Sequence, residues 1–336
     1  MNPAHLFKNI IHSFQYDIVA ELNDCQRMLQ DQSLRLLYLE LMNMCPNDFE
    51  EELAFIRSVG FPVVFPYPSL EPPDPVEIGI SSGFPFVLHG SRRLFFPKNW
   101  TRSKVEKTYR SFVEQENIIG EGEKYPRPLA KTPHQYMGGP VKVESGDVVV
   151  DIGAAEGLFS LNIAERASKI VLIENDSQWF APLERTFEPF QDKTVIVKKA
   201  VGDRDSRHSI RLSTALRDVP DDRVFVKMDI EGAEVSVVDA SRDLLGSPRD
   251  IRWACCTYHR ANDADALEKI FRSEGYSTEF SDGWMLFLHH RLEPPFFRHG
   301  VIRAWRPFHL GFGEVTAVRR IADCSCFARE ERDAPK

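Results

Sequence analysis

From Asp147 onward the chain repeats one pattern: a short apolar run, a polar break, then an amphipathic stretch. DVVVD precedes EGLFSLNIAERA, KIVLIE precedes SQWFAPLERTFEPF, VFVKMD precedes EGAEVSVVDASRDLL, and IRWACCTYH precedes DADALEKIFRSEG. TVIVKKAV is a further apolar run, and RHSIRLS after it reads as a short strand or hairpin arm. Apolar runs without polar alternation are strands buried on both faces, the kind found in parallel sheets covered by helices. Strand and helix alternate five times, which predicts an α/β fold with a doubly wound, mostly parallel sheet. STEF and WMLFLHH are expected to close it as a final pair of strands.

The rest of the chain is arranged around this core. Leu6, Ile10, Ile11, Phe14, Ile18 and Leu22 recur at three- and four-residue steps, so the chain is read as helical from residue 5. LRLLYLELMNM continues as helix to Cys45-Pro46-Asn47, and Glu50 to Val59 makes a third helix ending at Gly60. The proline cluster in FPVVFPYPSLEPPDPVEI excludes regular helix, so residues 61–78 read as a linker or an extended wrap. FPFVLHGSRRLFFP reads as a β-hairpin with His89-Gly90-Ser91 at its turn, and WTRSKVEKTYRSFVEQE as a helix. Four regions follow: a helical segment 1–60, a linker, hairpin and helix 61–131 packing on the core, the α/β domain 132–292, and a tail 293–336 without clear period.

Totals narrow the classes of partner. A net charge of −8 and a pI near 5.7 give no support to a nucleic-acid binder. No apolar run is long enough to span a bilayer, and the first residues lack a signal peptide's pattern, so neither membrane nor secretion is expected. The six cysteines, Cys25, Cys45, Cys255, Cys256, Cys324 and Cys326, then read as reduced thiols of a cytoplasmic protein. Cys324 and Cys326 form a CxC with no second ligand pair at matching spacing, so no metal is expected there.

In open α/β sheets ligands bind just outside the carboxyl ends of the strands. The first strand ends in VVVDIGAAEGLF. Gly153 permits a tight turn, and Ala155 and Gly157 let the backbone approach a ligand, with Ala154 and Glu156 completing the loop. The helix start would offer N–H groups to a ligand carboxylate. Asp151, just before the turn, is placed to orient a ligand ammonium or the loop itself. Glu174 ends the second strand, 174 − 151 = 23 residues on, where an acidic side chain accepts the hydroxyls of a ribose; Asn175 follows it. Ala200 and Val201 would present backbone to an adenine ring, with Asp203 close behind. GAAEG lacks the second close glycine of a dinucleotide turn, and the acidic residue before it points to S-adenosylmethionine instead. The plain alternative is a strand-to-helix turn with no ligand.

Together VVVDIGAAEGLFSL, IVLIEND, VKKAVGD and above all VKMDIEGAEVSVV resemble the FkbM family of S-adenosylmethionine-dependent methyltransferases, and CTYHRANDADALEKIFRSEGYSTEFSDGWMLF continues the likeness. It covers about residues 132–290. The family usually has Asn where Ala155 stands, and an aromatic-Glu-Pro ending where Ile173-Glu174-Asn175 stands. The resemblance implies a class I methyltransferase fold (Rossmann-like) with an antiparallel closing strand, here with a helical N-terminal extension. It also implies methylation of hydroxyl groups on sugars, natural products or glycans. It places TPHQY near the cofactor, making His134 and Tyr136 candidates for its methionine part.

The resemblance also sets Asp229, at the end of the fourth strand, beside the first strand and near the reacting methyl group. Glu231 and Glu234 follow at the start of a helix, where the dipole favours negative charge, so capping is their plain reading. Lys227, inside the strand, reads as a charge partner or a residue facing a polar crevice. Methyl transfer to a hydroxyl needs the acceptor held in line and its proton removed. Asp229, Glu231 and His259 are the candidates for base or orienting group. A hard divalent ion held by those three is conceivable, since such ions take carboxylates, but none is expected. The acceptor is expected to be a small molecule or glycan, and the N-terminal helices could form a homodimer. Two other readings stay open: an N-methyltransferase or protein methyltransferase, and a non-catalytic scaffold that binds the cofactor. The absence of an NPPY-like stretch after the fourth strand speaks against methylation of base amino groups.

Overall fold

The computed structural model describes residues 49–59, 64–68, 76–116, 129–217, 219, 223–287 and 294–306. The chain divides into two units, residues 1–306 and 307–336. The second unit lies outside the described residues, as do the helices read before residue 49 and the cysteines other than Cys255 and Cys256.

Helix α1 (Glu50–Val59) is the expected third helix; it carries three glutamates in its first turn and buries Leu53 and Ile56. Strands β1 (Ile78–Ser81), β2 (Phe84–His89) and β3 (Arg92–Phe95) form an antiparallel sheet. The β2–β3 hairpin is the expected one. The sequence reading missed β1, because IGIS is short and its Ile80 faces solvent. Its signal was the turn: Ser82 and Gly83 both have positive φ, as a two-residue hairpin loop requires. Helix α2 (Arg102–Glu116) packs on β2.

The α/β core follows in chain order. It comprises β4 (Val148–Ile152), α3 (Leu158–Ile163), β5 (Lys169–Ile173), α4 (Ser177–Thr186), β6 (Thr194–Val197), β7 (Ala200–Val201), β8 (Ser209–Ile210) and α5 (Leu212–Ala215). Then come β9 (Arg223–Met228), α6 (Glu234–Ala240), α7 (Arg242–Leu245), β10 (Asp250–Cys256), α8 (Asp263–Ser273), β11 (Ser277–Phe280), β12 (Met285–Leu286), β13 (Phe297–Arg298) and β14 (Val301–Trp305). The central sheet has the order β11-β14-β10-β9-β4-β5-β6. From β10 to β6 all neighbours are parallel, while β14 runs antiparallel to both β10 and β11. This is the doubly wound sheet with one antiparallel strand that the sequence led us to expect, with β9 beside β4.

Strand period divides the core in two. Val148, Val150 and Ile152 join Val224, Val226 and Met228 under α6 and α8, while Val149 and Phe225 face α3, α4 and the small sheet. Both faces are covered, which is why the strands read as continuous apolar runs.

Three expectations are corrected. TVIVKKAV is not one strand: β6 stops at Val197, and β7 leaves to pair with β8 in a separate two-stranded sheet. EGAEVSVVDASRDLL starts its helix at Glu234, after a turn with positive φ at Glu231 and Gly232, and breaks at Ser241. STEF and WMLF do not pair with each other. β11 pairs with β14 and β12 with β13, so the central sheet draws a strand from beyond residue 292. Among the described residues no helix is long and apolar enough to cross a membrane.

Candidate active site

Parallel register brings the carboxyl ends of β4, β5, β9 and β10 to one edge of the sheet. At that edge Asp229 directly follows β9, and four side chains converge on its carboxylate. Tyr136 donates to Oδ2 at 3.0 Å, and the Tyr258 hydroxyl lies 3.3 Å from Oδ1 and 3.4 Å from Oδ2. His134 Nε2 lies 3.6 Å from Oδ2, and His259 Nε2 lies 3.5 Å from Oδ1. Burial works against charge on Asp229. The contact with His134, then the charges of His134, Lys227 and His259, reverse that and hold the carboxyl well below the usual carboxylate range. A carboxylate so well satisfied is a weak base and a strong orienting group.

The loop TPHQY supplies two of the four partners. His134 and Tyr136 are buried, and His134 Nε2 also contacts the Cys256 thiol at 3.3 Å and the Tyr136 hydroxyl at 3.2 Å. The Cys256 thiol is pushed up by burial and by Asp229. The other two partners follow β10. Tyr258 was missed by sequence reading, although it stands next to His259. Its ring stacks at a tilt on His259 with centroids 4.2 Å apart, so the pair reaches the same carboxylate. Burial, then the charge of Asp229, pushes its hydroxyl well above the usual tyrosine value.

His259 Nδ1 lies 3.0 Å from Glu234 Oε1. Burial alone would lower the imidazole's pKa, but Glu234, then Asp229 and Glu231, raise it above the ordinary 6.5. Glu234 is completely buried, and the same Oε1 accepts the Ile230 N–H at 2.8 Å. Glu231 behaves differently. Its left-handed backbone turns the side chain to solvent, 94% exposed, with Oε2 3.7 Å from His259 Nε2.

The glycine turn closes onto Asp229 from β4. Gly153 has φ +74, and a Cβ there would lie 1.9 Å from the Asp229 carbonyl oxygen, so only glycine fits. Gly157 has φ +83, and a Cβ there would strike Phe187 and Leu183. Ala155 takes φ +47, a conformation that asparagine tolerates better than alanine. Asp151 does not reach the edge. It lies buried opposite Lys227 in the strand register, 2.9 Å from its Nζ, and accepts a hydrogen bond from Ser160 on α3. Lys227 in turn donates to the Gly153 carbonyl at 2.7 Å. Of the two roles read for Asp151, this geometry serves the loop.

Glu156 is the other surprise. Burial pushes its carboxyl up to about 8, against its own N–H and Lys227. Its Oε1 takes the Leu158 N–H at 3.4 Å. The loop's own carboxyl, not an open anion site, therefore meets the start of α3. Glu174 is buried and accepts the N–H groups of Ala155, Asn175 and Asp176 at 2.7–2.8 Å. Three of its roughly four lone-pair sites are taken. One ribose hydroxyl can be added without displacing backbone. Asn175 and Asp203 are exposed. The side chain of Val201 packs in the core, so it offers a ligand only its backbone, while Ala200 is half-buried.

The residues fit S-adenosylmethionine in kind. The turn has no side chain at Gly153 or Gly157, a fixed acidic group ends β5, and a charged carboxylate stands across from them after β9. Among the described residues two groups can each bring three ligand atoms within 4.8 Å of one another: His134, Asp229 and Cys256, and Asp229, Glu234 and His259. A cavity of about 480 Å³, lined by Phe84, Arg185, Phe187 and Ile196 among others, lies at the β6 edge and includes none of these residues.

No protein-family model and no curated protein matches the chain. Solved structures of similar fold include methyltransferase FkbM from Methylobacillus flagellatus KT, 20% identical, with a TM-score of 0.39 over 49% of this chain and 45% of that one. The chain thus spans less than half of that protein. Precorrin-6y C5,15-methyltransferase from Geobacter metallireducens GS-15 is 19% identical, with a TM-score of 0.34 over 50% of this chain and 84% of that one. The METTL16 MTase domain is 15% identical, with a TM-score of 0.35 over 62% and 69%. Likeness at this level carries nothing about reaction or acceptor.

Proposed function

We propose that this chain is an S-adenosylmethionine-dependent methyltransferase that acts on a hydroxyl group of a sugar, glycan or natural-product acceptor. The observation that carries the reading is the Asp229 cluster. An ionised carboxylate, two histidines and two tyrosines stand at the edge where the Gly153–Gly157 turn and Glu174 also open. The turn would take the methionine part, Glu174 a ribose hydroxyl, and the backbone at Ala200 and Val201 the adenine. Once bound, the cofactor supplies an activated methyl group on a sulfonium.

The protein's own task is then modest. Asp229 offers a fixed negative charge that favours a cation nearby and orients the groups around it. His259 is the residue suited to take the hydroxyl proton, because an imidazole titrates near neutrality while Asp229 is held too acidic. Glu231, exposed and beside His259 Nε2, is placed to meet the acceptor rather than the reacting oxygen. A base and a carboxylate favour a hydroxyl, which must lose a proton as it is methylated.

The test is label transfer. The protein is incubated with methyl-labelled S-adenosylmethionine and a panel of hydroxyl acceptors from monosaccharides to polyketides. The reading expects label on an acceptor oxygen, abolished in Asp229→Ala. Label on nitrogen or on a polypeptide, or tight cofactor binding with no transfer to any acceptor, would overturn it.

A further inference from the structure

We propose that Glu234 is a positioning residue for His259: its charge beside Nδ1 keeps the imidazole hydrogen on that nitrogen and leaves Nε2 towards Asp229 and the acceptor. The part of this concerning catalysis rests on the proposed methyl transfer; the tautomer itself does not.

Sequence reasoning treats Glu234 as a helix cap, and the contact to the Ile230 N–H fits that role. Capping does not explain the rest. The side chain is fully buried, and burying a carboxylate is costly unless it is paired. Its Oε2 and His259 Nδ1 are both buried without a hydrogen-bond partner among the described residues, while its Oε1 lies 3.0 Å from that Nδ1, a charge contact outside hydrogen-bond alignment. A carboxylate at Nδ1 selects the tautomer with hydrogen on that nitrogen and leaves the Nε2 lone pair free.

The surroundings fix the ring's plane. Tyr258 covers it at 4.2 Å, Phe287 meets its edge at 6.2 Å, and Arg298 donates to its backbone carbonyl at 3.2 Å. The titratable groups facing the imidazole are Asp229 and Glu231 from the β9–α6 loop, Glu234 from α6, Asp263 from α8 and the Tyr258 hydroxyl. Of these, Glu234 is the one at Nδ1 and the shortest contact. Nε2 stands 3.5 Å from Asp229 Oδ1, beyond a good hydrogen bond, so it is available to another partner. In the reaction the acceptor's O–H proton passes to Nε2 as the new O–C bond forms. The methyl carbon's bond to sulfur breaks with its electron pair left on sulfur, and the resulting imidazolium is paired with Glu234.

The test needs no acceptor. Side-chain nitrogens of ¹⁵N-histidine are followed against pH in the full chain and in Glu234→Gln, which keeps an oxygen for the Ile230 N–H but loses the charge. The proposal expects neutral His259 in the wild type to be the Nδ1–H tautomer. In the variant its pKa should fall by about 1–3, the usual effect of removing an opposite charge at this range, and both tautomers should be populated. A folded Glu234→Gln with unchanged His259 titration and tautomer would overturn it. If that variant does not fold, the wild type still decides: an Nε2–H tautomer overturns the proposal. S-Adenosylhomocysteine titration is run alongside both proteins. Its failure would strike the cofactor reading, while the histidine spectra judge Glu234 independently.

Discussion

Lys227 stands among the buried apolar residues Val224, Phe225, Val226 and Met228 of β9, and its place is explained by one neighbour. Opposite Asp151 in register, it neutralises a completely buried carboxylate and ties the glycine turn through the Gly153 carbonyl. Lys227→Met should leave Asp151 buried and unpaired and cost about 3–5 kcal/mol of stability, read by urea denaturation. A loss near zero would mean that Asp151 is protonated or rehydrated in the variant. His259 gives a second prediction. Its folded pKa is raised, so the stability from its pairing is complete below 6.5 and fades as pH rises through the folded value. A base must be neutral, so the methyl-transfer rate should climb across that same window, with a midpoint above 6.5. A rate independent of pH from about 6 to 9 would remove His259 from the proton's path. Asp229 and His259 were legible as a pair because each lies within three residues of the carboxyl end of a strand on the ligand edge. The direction of a side chain was not. Two left-handed residues turn Glu231 out and bring Glu234 in, and nothing in DIEGAE except its glycine announces that turn.

Among elements, β14 matters most to the sheet. It separates β10 from β11 and is paired on both sides, burying Val301, Ile302 and Ala304. A chain ending at residue 293 would strip β11 of its partner and expose β10 as an open edge, a template for aggregation. It should therefore show no cooperative thermal unfolding by circular dichroism. A stable truncated domain with a sharp transition would contradict this role. The parallel strands were legible because burial on both faces leaves unbroken apolar runs. β14 was not, because VIRAW carries Arg303 inward to Glu279 and the Gln135 carbonyl, so its hydrophobic pattern is broken by an ion pair. The short β1 escaped notice for the opposite reason: too little of it is buried to leave a pattern.

For the whole molecule, the strand order gathers the Asp229 cluster, the glycine turn and Glu174 at the carboxyl edge of a doubly wound sheet. The amino-terminal segment meets that side through Tyr67, which donates to Glu52 of α1 at 2.6 Å and accepts from the Trp284 N–H at 2.6 Å. Phe49 stacks on Phe297 with centroids 4.4 Å apart. Where the proline-rich stretch is described, Phe65, Pro66 and Tyr67 are buried within residues 64–68, and Ile78 at its end begins β1. The central claim is that this edge binds an adenosyl cofactor, with Glu174 fixed by three backbone N–H groups as the group that receives its ribose. The decisive measurement is calorimetric titration of the protein with S-adenosylmethionine, S-adenosylhomocysteine and NAD, repeated on Glu174→Ala with its fold checked by circular dichroism. The account predicts binding of both adenosyl ligands with a Kd on the order of micromolar, no binding of NAD, and loss of adenosyl binding in the folded variant. A folded wild-type protein that takes up neither adenosyl ligand would contradict it.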